Sequence, residues 1–258
     1  MAFFGNANFF VILAFPARFF VYLIHSLINN RKGLNMRRNE DYSVYLVTNE
    51  AVAAKRGRTT EQVVLAAVAG GVTAVQIREK ELSRPQLAQL VSRVKPFTRA
   101  AGVPLIVNDS VETALQVGAD GAHVGQSDLP AIIARRRLGS SLIMGVSVYN
   151  VDQALRAEAA GADYLGVAPI YGTKTKRDAL PPMGVDNLAM ICRAVSIPII
   201  GIGGIVHNNA DQLVRFGLDG VAVISAIIDQ PDIAQAARSL AAIVRSAKAN
   251  IGRNRIAV

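Results

Sequence analysis

Residues 118–130 read Gly-Ala-Asp-Gly-Ala-His-Val-Gly-Gln-Ser-Asp-Leu-Pro, and this stretch indicates the fold. A glycine follows a helical segment, an aspartate comes next, and a short apolar run then leads into polar residues. The phrase Gly-Ala-Asp returns at residues 161–163, and the similar Gly-Leu-Asp stands at residues 217–219. Each copy separates a helical segment from a strand-like one, so the phrase marks equivalent helix-to-strand turns.

Strand-like and helical segments alternate from Asp41 onward. The strand candidates are short, apolar and β-branched, as strands buried on both faces should be. They are Val44–Thr48, Ala74–Arg78, Pro104–Asn108, Gly121–Val124, Leu142–Ser147, Tyr164–Pro169, Pro198–Gly203 and Gly220–Ser225. The helical candidates are Thr60–Ala69, Pro85–Ala101, Val111–Val117, Pro130–Leu138, Val151–Ala160, Asp186–Ala194, Asn208–Phe216 and Asp232–Ala247.

Eight such units predict one α/β domain over residues 41–248, closed as a (β/α)8 TIM barrel. An open doubly wound sheet is the alternative, but the turn after the first strand lacks the GxGxxG pattern of that fold. The length of 258 residues suits one barrel, and an apolar fraction of 51% provides a large core. The single cysteine, Cys192, excludes an internal disulfide and a cysteine-based zinc cluster.

The net charge of +9 lies at the two ends of the chain. Five basic residues and no acidic residue precede Glu40, and four basic residues with no acidic one follow from Arg245 onward. The body between them is balanced, and no basic run is interleaved with aromatic residues that would stack on bases. We therefore expect a basic tail at residues 249–258 and no nucleic-acid partner.

Residues 1–40 form an apolar and basic N-terminal extension. Phe9–Ile28 is near the ~20 residues that a membrane span needs, but Pro16 and Arg18 interrupt it. We favour an extension outside the functional domain, with Met36 as the working start. A weak membrane anchor and an organelle-targeting peptide are the alternatives, and we expect a cytoplasmic protein.

The second strand ends in a cluster of polar residues. Gln76, Arg78 and Lys80 share one face of that strand by its period of two, so an amide and two cations would point together. Such a set suits a ligand with several anionic oxygens. A surface charge run is the alternative, which the apolar strand before Arg78 disfavours.

Two acidic residues follow neighbouring strands. Asp109 comes after the third strand and Asp128 after the fourth, so their carboxylates are expected to meet at the barrel mouth. Two such charges repel unless a cation lies between them, and hard oxygen ligands beside phosphate suit Mg²⁺. The alternative is that Asp128 caps the next helix.

Later strands add further polar groups. Ser147 ends the fifth strand, and residues 173–176 form a polar loop after the sixth, for which a solvated loop is the alternative interpretation. Gly203 and Gly204 after the seventh strand, with Ile224–Ser225 at the eighth, are typical of a phosphate cup made of backbone N–H groups. Two anion-binding regions, one beside a metal, indicate displacement of diphosphate by a nucleophile that carries a phosphate.

Jointly these segments resemble the thiamine-phosphate synthase family, and the motifs occur in its order. The segments that carry the resemblance are residues 71–80 (GVTAVQIREK), 108–109 (ND), 121–130 (GAHVGQSDLP), 145–147 (GVS), 173–176 (TKTK), 203–205 (GGI) and 224–227 (ISAI). The resemblance implies condensation of hydroxymethylpyrimidine diphosphate with hydroxyethylthiazole phosphate into thiamine phosphate and diphosphate. It also implies a dissociative mechanism, in which the diphosphate leaves first and the thiazole nitrogen then attacks a pyrimidine-methyl cation.

The resemblance assigns a role to each site residue. The residues implied to hold the pyrimidine diphosphate are Gln76, Ile77, Arg78, Glu79, Lys80, Asn108, Ser147 and Lys176. Asp109 and Asp128 would bind Mg²⁺. The residues implied to hold the thiazole phosphate are Thr173, Lys174, Thr175, Gly204, Ile224 and Ser225. The catalytic set that stabilises the departing charge would be Arg78, Lys80, Ser147 and Lys176.

Two rival functions stay open at this point: a thiazole tautomerase-like barrel, and a non-catalytic phosphate-binding protein associated with a membrane. Retention of the diphosphate and metal residues disfavours the first. We expect small-molecule partners; the sequence is compatible with a homo-oligomer, and membrane contact of residues 9–28 is the less favoured interpretation. We also expect His123 to be a structural histidine and Glu79 to form a supporting salt bridge.

Overall fold

The computed structural model describes residues 40–172 and 180–256, with side chains as far as Ile251. The apolar segment Phe9–Ile28 and the loop Thr173–Lys176 lie outside the described residues, so the predictions made for them stay predictions. Within the described part of the chain, we find no helix of the length and apolar character that crossing a membrane requires.

Eight parallel strands pair in chain order, and β1 also pairs with β8, which closes the sheet into a barrel. The strands are β1 (Val44–Val47), β2 (Ala74–Ile77), β3 (Leu105–Asn108), β4 (Gly121–Val124), β5 (Ile143–Val148), β6 (Tyr164–Val167), β7 (Ile199–Ile202) and β8 (Gly220–Val223). Each overlaps its predicted segment, and β5 extends one residue beyond it, to Val148. The TIM barrel is therefore confirmed, and the open doubly wound sheet is excluded.

Helices connect successive strands on the outside of the barrel. The helices of the described residues are α1 (Glu50–Ala54), α2 (Thr60–Ala69), α3 (Arg84–Ala100), α4 (Val111–Val117), α5 (Ala131–Leu138), α6 (Val151–Ala159), α7 (Val185–Ala194), α8 (Ala210–Phe216), α9 (Ser225–Ile228) and α10 (Ile233–Ile256). Several begin at a residue whose side chain accepts a backbone N–H. The Thr59 hydroxyl caps α2 in this way, and the Asn150 amide oxygen caps α6.

The strands are buried on both faces, as their composition predicts. Alternate residues point into the barrel, where Tyr45, Ile106 and Tyr164 belong to one buried cluster. Residues of the opposite register, such as Val44 and Val75, pack between the strands and the helices in a second and larger cluster. The interior cluster fills the lower part of the barrel and leaves its carboxyl end to polar side chains.

The Gly-Ala-Asp turns tie neighbouring strands together at the amino end of the barrel. The polar residue before each even-numbered strand accepts a backbone N–H from the start of the preceding strand. The N–H to side-chain pairs are Val44 to Thr73 (3.0 Å), Leu105 to Asp120 (2.8 Å), Met144 to Asp163 (2.7 Å) and Ile199 to Asp219 (2.8 Å). The repeated aspartate is therefore a structural acceptor.

Three helices differ from the prediction: α1 (Glu50–Ala54) lies in the turn after β1, where the sequence predicts no helix, and α9 and α10 depart from it as follows. The sequence predicts that the eighth strand runs to Ser225, whereas β8 ends at Val223 and Ser225 begins α9. The change comes at Ile224, whose φ of −114° and ψ of −84° leave the extended conformation. The last helix is predicted to end at Ala247 before a basic tail, but α10 continues to Ile256. The residues after Ala247 lack proline, so little stops the helix from propagating.

We expect Asp120→Ala to lower the free energy of unfolding by about 1–3 kcal/mol, because the buried Leu105 N–H loses its acceptor. Urea unfolding at neutral pH measures this. Asp211→Ala is the matched control, since Asp211 forms only an exposed pair with Arg215 on α8 and its loss should change stability by less than about 0.5 kcal/mol. Equal stability of the two variants would contradict the structural role of Asp120.

Candidate active site

A cavity of about 380 Å³ opens at the carboxyl ends of the strands, where catalytic sites of such barrels lie. Its wall contains polar side chains from β2 to β5 on one side and apolar or glycine positions from β6 to β8 on the other. The predicted site residues that line it are Gln76, Arg78, Lys80, Asn108, Asp109, Asp128, Ser147 and Ile224. The structure thus brings together most of the predicted residues that it describes.

The end of β2 presents its cationic face to the cavity, as the strand period predicts. Gln76, Arg78 and Lys80 all line the cavity. The Thr48 hydroxyl accepts the backbone N–H of Arg78 at 3.0 Å, which fixes the chain just beyond the strand. Among the described residues we find no ion pair for Arg78, so its guanidinium is available to an anionic ligand.

The carboxylates of Asp109 and Asp128 are hydrogen-bonding neighbours, as predicted from the adjacency of β3 and β4. The Lys80 ammonium lies 2.6 Å from Oδ2 of Asp109. Asp109 has a φ of 62°, a left-handed conformation that aspartate adopts more readily than most L residues. Its N–H donates to the His123 carbonyl at 2.8 Å, which holds this conformation in place.

The two carboxyl groups differ in proton affinity. Burial raises the pKa of Asp109, but hydrogen bonds with Lys80 and Asp128 outweigh it, so the pKa of Asp109 lies below its ordinary value. Burial and the neighbouring Asp109 raise the pKa of Asp128 above its ordinary value. As the pH falls, Asp128 therefore takes up the first proton of the pair.

Asp128 does not cap the helix that follows it. Its Oδ2 accepts the N–H of Gly125 at 2.7 Å, and the turn from Gly125 to Asp128 aims the carboxylate back at the cavity. The next helix, α5, begins after Pro130, with no side-chain capping bond. The capping alternative for Asp128 is therefore wrong.

Two predicted binding residues, Ile77 at the end of β2 and Glu79 just after it, point away from the cavity. The side chain of Ile77 is fully buried in the cluster between strands and helices, because it has the opposite register to Gln76. The Glu79 carboxylate accepts bonds from the Glu50 N–H (2.7 Å) and the Thr60 hydroxyl (3.0 Å), and burial raises its pKa. The side chains of both residues therefore lie on the face opposite to the cavity, and the expected salt bridge of Glu79 is not formed with any described residue.

The loop after β7 packs closely against the loop after β6, so its two glycines leave no room for a side chain. A Cβ at Gly203 would lie 2.8 Å from Cβ of Pro169, and one at Gly204 would lie 2.6 Å from the Gly172 carbonyl oxygen. Both glycines also have positive φ. Ile224 lines the cavity, whereas Ser225 and Gly204 do not. Thr173, Lys174, Thr175 and Lys176 lie outside the described residues.

Sequence reasoning missed the residues of the cavity floor. Tyr45, Tyr164 and His123 line the cavity and are linked in series by hydrogen bonds. Tyr45 Oη lies 2.7 Å from Tyr164 Oη, and Tyr164 Oη lies 2.9 Å from His123 Nδ1. The chain ends in two predicted residues, because Gln76 Nε2 donates to Tyr45 Oη at 3.2 Å and His123 Nε2 lies 2.8 Å from Ser147 Oγ. The sequence does carry a signal for them: a tyrosine or histidine at an inward-facing strand position. Its polar group must form a hydrogen bond when the side chain is buried.

Two glycines make room for this floor. A Cβ at Gly145 would lie 2.4 Å from His123 Nδ1 and 2.3 Å from Tyr164 Oη, and one at Gly166 would lie 3.0 Å from His123 Cε1. Burial lowers the pKa of His123 to about 4, so the imidazole is neutral at physiological pH. The prediction of a structural histidine is therefore incomplete, since both ring nitrogens are bonded but the ring also faces the cavity.

Comparison with known proteins decides the family. The family model described as thiamine monophosphate synthase matches residues 44–227. The chain belongs to this family. A thiamine-phosphate synthase of Chloroflexus aurantiacus is 50% identical over 204 residues, which cover 79% of this chain and 93% of that protein. The corresponding enzyme of Moorella thermoacetica is 50% identical over 192 residues, which cover 74% and 91%. The predicted membership of the thiamine-phosphate synthase family is confirmed.

Solved structures agree with this assignment. The thiamine phosphate pyrophosphorylase of Pyrococcus furiosus superposes with a TM-score of 0.72 at 33% sequence identity, covering 81% of this chain and 98% of that one. A 3-hexulose-6-phosphate synthase of Salmonella typhimurium superposes with a TM-score of 0.60 at 18% identity, covering 80% and 99%. That second likeness shows the fold alone.

We expect the buried, neutral His123 to make stability depend on pH. The unfolded chain takes up a proton on this residue near pH 6.5 and the folded chain only near pH 4, so unfolding is favoured as the pH falls between these values. The loss is at most about 3 kcal/mol. In His123→Gln this loss disappears, so the stability gap between wild type and variant narrows as the pH falls. Denaturant unfolding across that range, with His207→Gln as the control, tests this; parallel curves for wild type and His123→Gln would contradict it.

Proposed function

We propose that this chain condenses hydroxymethylpyrimidine diphosphate with hydroxyethylthiazole phosphate to give thiamine phosphate and diphosphate. The observation that carries the proposal is the cluster of Arg78, Lys80, Asp109 and Asp128 at the mouth of a cavity with a neutral polar floor, in a chain of this family. The bond between the pyrimidine methylene carbon and the diphosphate oxygen breaks, and its electrons leave with the diphosphate. The thiazole nitrogen lone pair then forms the new carbon–nitrogen bond.

The cationic face of β2 suits the diphosphate. Arg78 offers a planar fork of donors and Lys80 a mobile ammonium, and both lie at the cavity mouth. Fixed positive charge at that point stabilises the negative charge that develops as the diphosphate departs. Lys176 and the hydroxyls of the loop at residues 173–175 complete this set in our proposal, on the strength of the sequence resemblance alone.

Asp109 and Asp128 are the residues that would hold Mg²⁺. Their carboxylates lie together with only Lys80 as a described cationic partner, a donor set of hard oxygens that suits this ion. The described residues contain no group of three or more metal-ligating side chains. The two carboxylates would thus supply part of the coordination shell, and phosphate oxygens and water the rest. Bound there, the ion would neutralise charge on the diphosphate.

The opposite wall suits the thiazole phosphate. The backbone around Gly204 and the turn from Ile224 to Ser225 would supply N–H groups at the ends of β7 and β8, a common phosphate position in such barrels. The two anion-binding regions would then lie on opposite sides of the cavity mouth, with the reacting carbon and nitrogen between them.

The neutral floor suits a dissociative reaction. His123 carries no charge at physiological pH, because burial lowers its pKa to about 4. The floor therefore places no positive charge against a pyrimidine-methyl cation while the rim draws the diphosphate away. No general base is needed, since the thiazole nitrogen attacks through its lone pair and the product is a thiazolium ion.

The decisive test incubates the full chain with both substrates and Mg²⁺, and follows thiamine phosphate and diphosphate by chromatography. We expect the two products in equal amounts, and at least about a hundredfold loss of rate with excess chelator. Asp109→Ala and Asp128→Ala should show the same loss, whereas Asp152→Ala, which removes an exposed partner of Arg156, should not. Failure of the wild type to form product from fresh substrates would overturn the proposed function.

A further inference from the structure

The hydrogen bonds of the cavity floor form one series, and the Gln76 amide, which bonds Tyr45, is also a hydrogen-bonding neighbour of Tyr164. The series runs from the Gln76 amide through Tyr45, Tyr164 and His123 to the Ser147 hydroxyl. The rings of Tyr45, Tyr164 and His123 are almost wholly buried, and a Cβ at Gly145 or Gly166 would crowd them. The series is therefore rigid, and each of its links must have one donor and one acceptor.

Counting protons from the Gln76 end fixes the direction of every link. Gln76 Nε2 has only N–H groups to give, so Tyr45 Oη accepts there and donates its own proton to Tyr164. Tyr164 then donates its proton to His123 Nδ1, which must be the bare nitrogen of the neutral ring. The proton of that ring is on Nε2 and is donated to Ser147 Oγ.

The opposite direction leaves a buried proton without an acceptor. If His123 Nδ1 carried the proton, Tyr164 would accept it and would donate to Tyr45. Tyr45 would then accept from both Gln76 and Tyr164, and no other described residue forms a hydrogen bond with its hydroxyl. Buried donors without partners are costly and rare, so this tautomer is disfavoured.

We propose that Tyr45, Tyr164 and His123 are positioning residues whose one-way hydrogen-bond series holds His123 as the Nε2–H tautomer and makes Ser147 a donor toward the cavity. Because Ser147 Oγ already accepts from His123, its own proton is left for the ligand. Opposite Ser147 an acceptor therefore fits best, because it takes the free hydroxyl proton, and a ring nitrogen of an aminopyrimidine is such an acceptor. This last step rests on the proposed function; the tautomer and its cause do not.

Nuclear magnetic resonance of the imidazole nitrogens tests the tautomer directly. The full chain is labelled with ¹⁵N-histidine, and its three histidines are assigned with His25→Gln and His207→Gln. We expect His123 at neutral pH to show a protonated Nε2 and a bare Nδ1. A protonated Nδ1 in the wild type would overturn the proposal, whatever the enzyme does with substrates.

Variants test whether the series causes the tautomer. Tyr164→Phe removes the donor to Nδ1, so His123 should shift toward the Nδ1–H form; Tyr45→Phe should shift it in the same direction to a smaller extent. Tyr149→Phe is the matched control, because Tyr149 lines the same cavity but its hydroxyl donates to the Pro181 carbonyl at 3.3 Å. An unchanged tautomer in folded Tyr164→Phe, or an equal shift in Tyr149→Phe, would show that the series does not set it.

Calorimetric binding of hydroxymethylpyrimidine diphosphate, without the thiazole, tests the consequence for the ligand. Tyr164→Phe should raise its Kd about tenfold in the wild-type background and change it little in the Ser147→Ala background, because Tyr164 acts through Ser147. The same increase in both backgrounds would refute the link to Ser147. No binding to the wild type would refute the proposed function, while the tautomer result would stand by itself.

Discussion

Two carboxylates that would repel each other are held side by side at the ends of β3 and β4, and the character of the site follows from that pairing. Asp109 is fixed by its left-handed backbone and its N–H bond to the His123 carbonyl, and Asp128 is fixed by the Gly125 N–H. Asp128 cannot turn away without breaking its bond to the Gly125 N–H, and the Lys80 ammonium holds the carboxylate of Asp109. Lys80 offsets part of the charge. The remaining repulsion favours a proton on Asp128, because its pKa is raised whereas that of Asp109 is lowered.

Charged and neutral polar groups lie at different depths in the cavity. Charged groups that follow β2, β3 and β4 lie at the rim of the cavity, while the floor of tyrosines and one histidine is polar but neutral. Burial keeps the floor neutral, since it raises the pKa of Tyr164 and lowers that of His123. A reaction that sends negative charge outward and leaves positive charge on a ring within the cavity is suited to this division.

The fold and much of the rim could be predicted from the sequence, because both depend on simple periods. The period of two along β2 and the residues after it places Gln76, Arg78 and Lys80 on one face, and the same rule places Ile77 and Glu79 on the opposite face. The floor could not be predicted in the same way. Tyr45 and Tyr164 are 119 positions apart, and only barrel closure and the absence of a side chain at Gly145 bring their hydroxyls together. The role of Asp128 could not be predicted either. An aspartate just before a helix can cap that helix or face the cavity, and the local sequence is the same in both cases.

The affinity of the full chain for Mg²⁺ as a function of pH tests the central claim most directly. If Asp109 and Asp128 hold the ion, Mg²⁺ and a proton compete for the same two carboxylates. The Kd measured by calorimetry should then rise steadily as the pH falls through the raised pKa of Asp128. In Asp128→Asn the affinity should be weaker at neutral pH and nearly independent of pH over that range. An affinity for Mg²⁺ that is the same in wild type and Asp128→Asn at every pH would contradict the account.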